Sequence, residues 1–443
     1  MNNWKNYLLF LIGMFSLTQI RIVGWIGITE VVLFFVAPLV FFKTRRSLKQ
    51  HGFMPVLVLG VLWFGSALLT DWIRHNTYEN LLKGAATPYA FFANIVCLHA
   101  LLWDNVNRFK WAVVGIAVSL VLSIYVFQGG TGHSMAEAQG VTAEEAIKGY
   151  KLFGVIMFGT FLTLPIKTMY QKLPTYVTVT LLLFLAAYSL FSGGRSAFLV
   201  RLLSIWIVFM GGRKILTMRN IGKNLILFGI SLSVVGLAAS VIYKSAVYSG
   251  RLGLEERDKY EAQASSKIGL LSGRAEFVSA LWAIKDSPLI GHGSWPIDFE
   301  GYTLRTVEMV GTDRDIELTR ANYDEGRISW IPSHSYVWQS WIWHGLAGGI
   351  FWLYVFFRVY FKTFRECMGM FPQVFGYFAV MLPSEFWNVW FSPIGQRVEV
   401  AMVITLCLLA IDHEKAKRRF MRAQQDFGLM PGPVARQRGI RGV

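Results

Sequence analysis

The chain has 443 residues, 54% hydrophobic and 15% aromatic, with only 16% charged and a formal net charge of +16. Apolar runs of roughly 20 residues recur along nearly the whole length, which excludes an ordinary soluble globule and points to an all-α polytopic membrane protein. In such a chain most of the Lys and Arg excess serves topology and gives no reason to invoke nucleic acid.

About twelve spans are predicted. They cover residues 5–20, 23–42, 53–71, 85–103, 111–128, 150–169, 174–192, 196–211, 224–244, 334–360, 372–391 and 398–411. The first follows Lys5 and lacks a small-residue cleavage site, so it reads as an uncleaved span. Cationic clusters follow the even-numbered spans: Lys43 to Lys49, Arg108 and Lys110, Lys167 and Lys172, Arg213 to Lys223, Arg358 to Arg365, and Lys415 to Arg419. The positive-inside bias then puts both termini in the cytoplasm.

The sequence thus divides into spans 1–9 over residues 1–244, an outer loop over 245–333, spans 10–12 over 334–411 and a basic cytoplasmic tail over 412–443. A loop as long as 245–333 carries function or structure of its own. Helices are predicted at 255–267 and 272–286, the second with Phe277, Leu281 and Ile284 at helical spacing and Pro288 beyond its end. Residues 298–329 show no clear periodicity. Cys97, Cys367 and Cys407 lie in or beside apolar runs without CxxC spacing, so neither a disulfide framework nor a zinc site is expected.

Three positions at the outer face are not explained by topology. Arg195 follows Gly193 and Gly194 and opens span 8, where a guanidinium beside a helix N-terminus makes an anion site. An interfacial arginine bound to lipid phosphate is the competing reading. Arg274 follows Ser272, a candidate N-cap, and so falls in a first helical turn, where a cation is unfavourable unless an anion is bound; a salt bridge to Glu276 or another loop carboxylate is the competing reading. His334 follows Pro332 and Ser333 at the start of span 10, where the helix dipole favours a neutral imidazole able to accept a proton; a capping role is the alternative. Glu385, in the outer half of span 11, needs a partner, which His334 or either arginine could supply. His292 reads as part of a turn, and Glu30 has no evident role. The Asp313-Arg314-Asp315 tripeptide is too common to indicate a metal-dependent transferase, and no metal site is expected.

Four stretches, in order, resemble the O-antigen ligase and polymerase superfamily of bacterial envelope glycan enzymes. They are Ser192-Gly193-Gly194-Arg195, Ser272-Gly273-Arg274, Asp286-Ser287-Pro288-Leu289-Ile290-Gly291-His292-Gly293, and His334-Ser335 followed after nine residues by Gly345 and then Gly348. The last is similar to the ligase signature. The resemblance implies a multi-pass protein of the bacterial inner membrane that moves O-antigen glycan from undecaprenyl diphosphate to a lipid A–core hydroxyl at the periplasmic face. It implies no cofactor and no metal, with His334 as general base, Arg195 and Arg274 on the donor diphosphate, and Glu385 in support. A polymerase that extends lipid-linked glycan is the alternative within the superfamily. A transporter of the same lipid is expected to show repeats and a midplane site. The sequence shows no repeat, and its candidate residues lie at the outer face.

Overall fold

The computed structural model describes residues 3–16, 18–21, 25–125, 175–191, 195–212, 241–250, 257, 260–261, 276–367, 372–394 and 397–426. The architecture is all-helical apart from one small hairpin. The helices are α1 (Trp4–Met14), α2 (Ile28–Gln50), α3 (Met54–Ile73), α4 (Tyr78–Leu102), α5 (Phe109–Tyr125), α6 (Thr175–Phe191), α7 (Arg195–Gly212), α8 (Glu276–Asp286), α9 (Tyr302–Val310), α10 (Asp313–Asp324), α11 (Tyr336–Tyr354), α12 (Phe361–Cys367), α13 (Pro372–Phe391) and α14 (Arg397–Asp426). Most of each predicted span that falls on described residues is helical. The predicted span 150–169, nearly all of 224–244 and most of the helix 255–267 lie outside the described residues.

Among the described residues, three helical stretches are long and apolar enough to cross a membrane: Met54–Ile73, Tyr78–Leu102 and Tyr336–Glu366. Pro55, at the start of α3, has no N–H to leave unsatisfied, and Thr77 caps α4 by accepting from Asn80 N–H. α3 buries Val56, Leu57 and Trp63 but exposes Val58, Val61 and Leu62, an aliphatic outer face suited to hydrocarbon. On its inner side Trp63, Phe91, Phe351 and Trp352 form one aromatic cluster, with ring centroids 4.9 to 6.3 Å apart.

Between α1 and α2 the chain forms β1 (Gln19–Arg21) and β2 (Trp25–Gly27), an antiparallel pair in which Ile20 faces Ile26. Residues 5–42 were expected to hold only two spans; the paired isoleucines favour a strand there instead. Glu30 also gains a role. Arg397 at the head of α14 grips it through two bonds of 2.6 Å, and the Gly27 N–H donates to it. This buried bidentate pair ties the start of α2 to the start of α14.

The stretch 298–329 is not aperiodic. Tyr302, Thr306 and Val310 bury one face of α9, four residues apart, and the Asp298 carboxylate accepts from the Tyr302 and Thr303 N–H groups at its N-terminus. Thr312 and Asp315 form a capping box on α10, so the Asp-Arg-Asp tripeptide is a helix start. An Ile297–Trp330 bridge closes the base of this excursion.

The largest departure from expectation is α11, which is not one straight span. Gly345 has φ 67° and ψ −156°, and the chain folds back there. Trp352 donates from Nε1 to Ser340 Oγ at 2.9 Å, and the rings of Tyr336 and Trp352 are 4.7 Å apart. Residues 12 and 16 apart in a straight helix would be separated by about 18 and 24 Å. α11 is therefore a helical hairpin whose first arm, Tyr336 to His344, lies antiparallel on the second. A Cβ at Gly348 would sit 2.3 Å from the Ser340 carbonyl oxygen, so only glycine lets the arms touch. The second arm continues through a π-helical turn, Val355–Tyr360, into α12. From Leu346 to Glu366 it is about 30 Å long, enough to cross a bilayer alone.

Candidate active site at the mouth of a helical hairpin

His334 stands just outside the first arm. Ser335 is the N-cap, accepting from the Trp338 N–H at 3.2 Å and donating its own hydroxyl to the Val389 carbonyl of α13 at 2.8 Å. The cap fixes the backbone beside His334 and joins it to a second helix. The His334 side chain is 56% exposed, and its Nδ1 meets the Glu276 carboxylate at the head of α8. A carboxylate on Nδ1 holds the ring's orientation and makes Nε2 the acceptor nitrogen of the neutral imidazole. The helix dipole was expected to favour the neutral form of this histidine; the structure adds the Glu276 carboxylate beside it.

The pair borders a shallow, open cleft. Phe277, Trp338, Trp390 and Phe391 form much of its wall, and Ser333 and Ala280 complete it. Trp338 packs edge-on to Phe277 at 5.2 Å and against Trp390 at 5.6 Å. A general base at the rim of an aromatic cleft can take a proton from a bound hydroxyl while ring faces hold the molecule that carries it.

The other predicted residues distribute unevenly. Arg195 opens α7, which packs on α13. Arg274 lies outside the described residues, two positions before Glu276 in sequence. Glu385 was expected to pair with His334 or an arginine. It is instead buried within α13 and accepts from the Tyr360 hydroxyl and the Asn388 amide, both at 3.4 Å. It lies one helical turn before Val389, whose carbonyl receives the Ser335 hydroxyl, and does not border the cleft. Among the described residues, no group of three His, Cys, Asp or Glu is arranged to hold a metal ion.

At the opposite end of the first arm, the 286–293 motif has a structural task. The break at Gly345 leaves backbone groups without helical partners. The loop supplies them: His292 N–H donates to the Ile342 carbonyl at 2.7 Å, Gly293 N–H to Trp343 at 3.0 Å, and Leu346 N–H to Leu289 at 3.1 Å. His292 is part of this turn, with Nε2–H on the Ala283 carbonyl at 2.7 Å. Burial holds its imidazole below the usual range, opposed by that bond.

Under the loop lies a polar network that sequence reasoning did not find. Asp71 of α3 accepts from Ser294 N–H at 2.6 Å, Ser294 Oγ–H at 2.7 Å and Asn76 Nδ2 at 2.9 Å. Trp63 Nε1–H donates to His344 Nδ1 at 2.8 Å, so the neutral His344 carries its proton on Nε2, 3.1 Å from Ser294 Oγ. Arg74 donates to the Gly291 carbonyl through Nε at 3.0 Å and Nη2 at 2.7 Å, and Nη2 also reaches Ser287 Oγ. The sequence signal was an Asp and an Arg three apart at the end of an apolar run, but apart from Asn76 the partners named lie more than 200 residues away. The chain matches no protein-family model and no curated protein.

Proposed function

We propose that this protein is a glycosyltransferase of the bacterial inner membrane, an O-antigen ligase that joins glycan from undecaprenyl diphosphate to a lipid A–core hydroxyl. In this reading it is a twelve-span protein with cytoplasmic termini, and the cleft faces the periplasm. The observation that carries the proposal is the His334–Glu276 pair at the rim of the aromatic cleft, placed there by the hairpin whose glycines complete the ligase-like spacing.

The chemistry uses the pair directly. The acceptor O–H gives its proton to His334 Nε2 while its oxygen attacks the anomeric carbon. The bond from that carbon to the diphosphate breaks, and the lipid diphosphate leaves with the electron pair. Glu276 keeps the ring aligned and stabilises the imidazolium that forms. Arg195 and Arg274 bind the diphosphate and stabilise its developing charge, so the reaction asks for no metal or other cofactor. Glu385 supports the α13 side of the site from below.

The test is an acceptor comparison with purified protein and lipid-linked glycan in the presence of EDTA. Transfer to lipid A–core, abolished in His334→Ala, supports the ligase. Extension of lipid-linked glycan alone would replace it with the polymerase, and loss of transfer on chelation would overturn the metal-free route.

A further inference from the structure

Helix α8 and the first arm of α11 lie side by side and run in the same direction. Glu276 meets His334 at one end, and the loop after Asp286 meets the Gly345 turn at the other. Along the middle of the contact Ala280 and Ala283 lie buried against Ile342, and such small side chains allow close approach but make shallow ridges that fix the register of two helices weakly. The register is therefore set towards the ends, where the mouth has the exposed His334–Glu276 pair and the edge-on contact of Phe277 with Trp338.

We infer that Arg74 and Asp71 position Glu276 against His334 from the far end of α8. Arg74 is itself exposed, yet its guanidinium holds Gly291 and Ser287, the residues through which α8 joins the turn. Asp71 fixes the next step of the chain through both the backbone and the hydroxyl of Ser294. Thr70 and Ser66 complete the attachment by donating to the Ile290 and His344 carbonyls at 2.6 Å. One helix end thus holds both the loop that leaves α8 and the turn that ends the first arm. Loosening it lets one rod slide or tilt on the other, and the displacement is felt where Glu276 meets His334. Neither residue touches the cleft, so both are positioning residues. Their relevance to turnover rests on the reading of His334 as the base.

The full-length chain carrying Glu276→Cys and His334→Cys, with Cys367→Ser, is treated with a short bifunctional methanethiosulfonate, and the cross-linking rate is followed. Cys97 and Cys407 are buried. Added Arg74→Ala or Asp71→Asn is expected to slow cross-linking about 10-fold, with Arg74→Lys recovering part of the rate because its ammonium can still reach one of these acceptors without the guanidinium's fork. In the otherwise native chain, Arg74→Ala is expected to lower kcat for glycan transfer about 10- to 100-fold with KM unchanged, and to add nothing further to Glu276→Gln. Unchanged cross-linking in both variants overturns the inference. So does a loss of kcat that multiplies fully with that of Glu276→Gln. Cross-linking reads the geometry whether or not the chain transfers glycan. Slowed cross-linking in a protein inert toward the lipid-linked donor supports the positioning and overturns the proposed reaction alone.

Discussion

The two ends of the pair formed by α8 and the first arm of α11 are built on opposite principles. At the turn, the broken backbone is buried and bonded to a loop, and the loop is bonded to α3. At the mouth, His334 and Glu276 are half exposed and held by a cap, the contact of Nδ1 with the carboxylate, and neighbouring ring contacts. A break inside an apolar helix is tolerated only where other groups satisfy the freed backbone, which explains the dense turn. On the proposed function, a base that exchanges a proton with a substrate has to remain reachable, which accounts for the sparse mouth. The difference separates buried residues that hold the fold from exposed residues open to a ligand, although both belong to one hairpin.

The sharpest way to test that division is to cut at the mouth. His334→Ala is expected to lower transfer about 10³-fold. The thermal unfolding midpoint should hardly move, because exposed substitutions rarely change stability by more than about 0.5 kcal/mol. A large fall in the midpoint would show that the mouth is structural. At the turn, Gly345→Ala should do the reverse. Its Cβ would lie 2.0 Å from the Leu289 carbonyl oxygen at a φ that side chains rarely adopt. A stability loss of about 3 kcal/mol is expected, measured by denaturation in detergent, with activity falling only as folded protein is lost.

Smaller effects sharpen the same contrast. Glu276→Gln keeps the shape at Nδ1 but removes the charge, and should slow transfer roughly 10- to 100-fold while leaving the fold intact. Ser335→Ala removes the cap and the bond to Val389, at about 1 kcal/mol of stability. The smallest effect is in pH. Because burial holds His292 below its unfolded value, the folded state resists its protonation. That contribution is fully present above about pH 6.5 and is lost as pH falls toward the lower folded value. The unfolding midpoint should therefore drop in mild acid, and by less in His292→Gln. An equal drop in both would place the acid sensitivity elsewhere.

How much of this was legible depends on the range of the interaction. The apolar runs and their basic flanks gave the helices, since hydropathy and helix length act within one segment. His334 stood out because Pro332 and Ser333 marked a helix start, and the structure places it at a cleft. Its partner was misassigned. Glu385 had the right chemistry and lies within 60 residues, but a buried turn of α13 gives it Tyr360 and Asn388. Glu276 supplies the carboxylate instead, and its predicted helix gave no sign of which way it faced. The helical face of α9 was readable in Tyr302, Thr306 and Val310, but polar neighbours obscured the pattern.

The sequence by itself determined the helical character, the presence of helices long and apolar enough to cross a membrane, and the stretch that holds His334 and the glycines that follow it. These depend on local composition and spacing. Only the tertiary structure decided that the glycines turn a helix back on itself, that the 286–293 motif fills the break, and that Asp71 and Arg74 hold the motif. Those facts depend on contacts between groups that lie 12 residues apart across the hairpin and more than 200 apart between α3 and the motif, and contacts of that range leave no periodic trace along the chain.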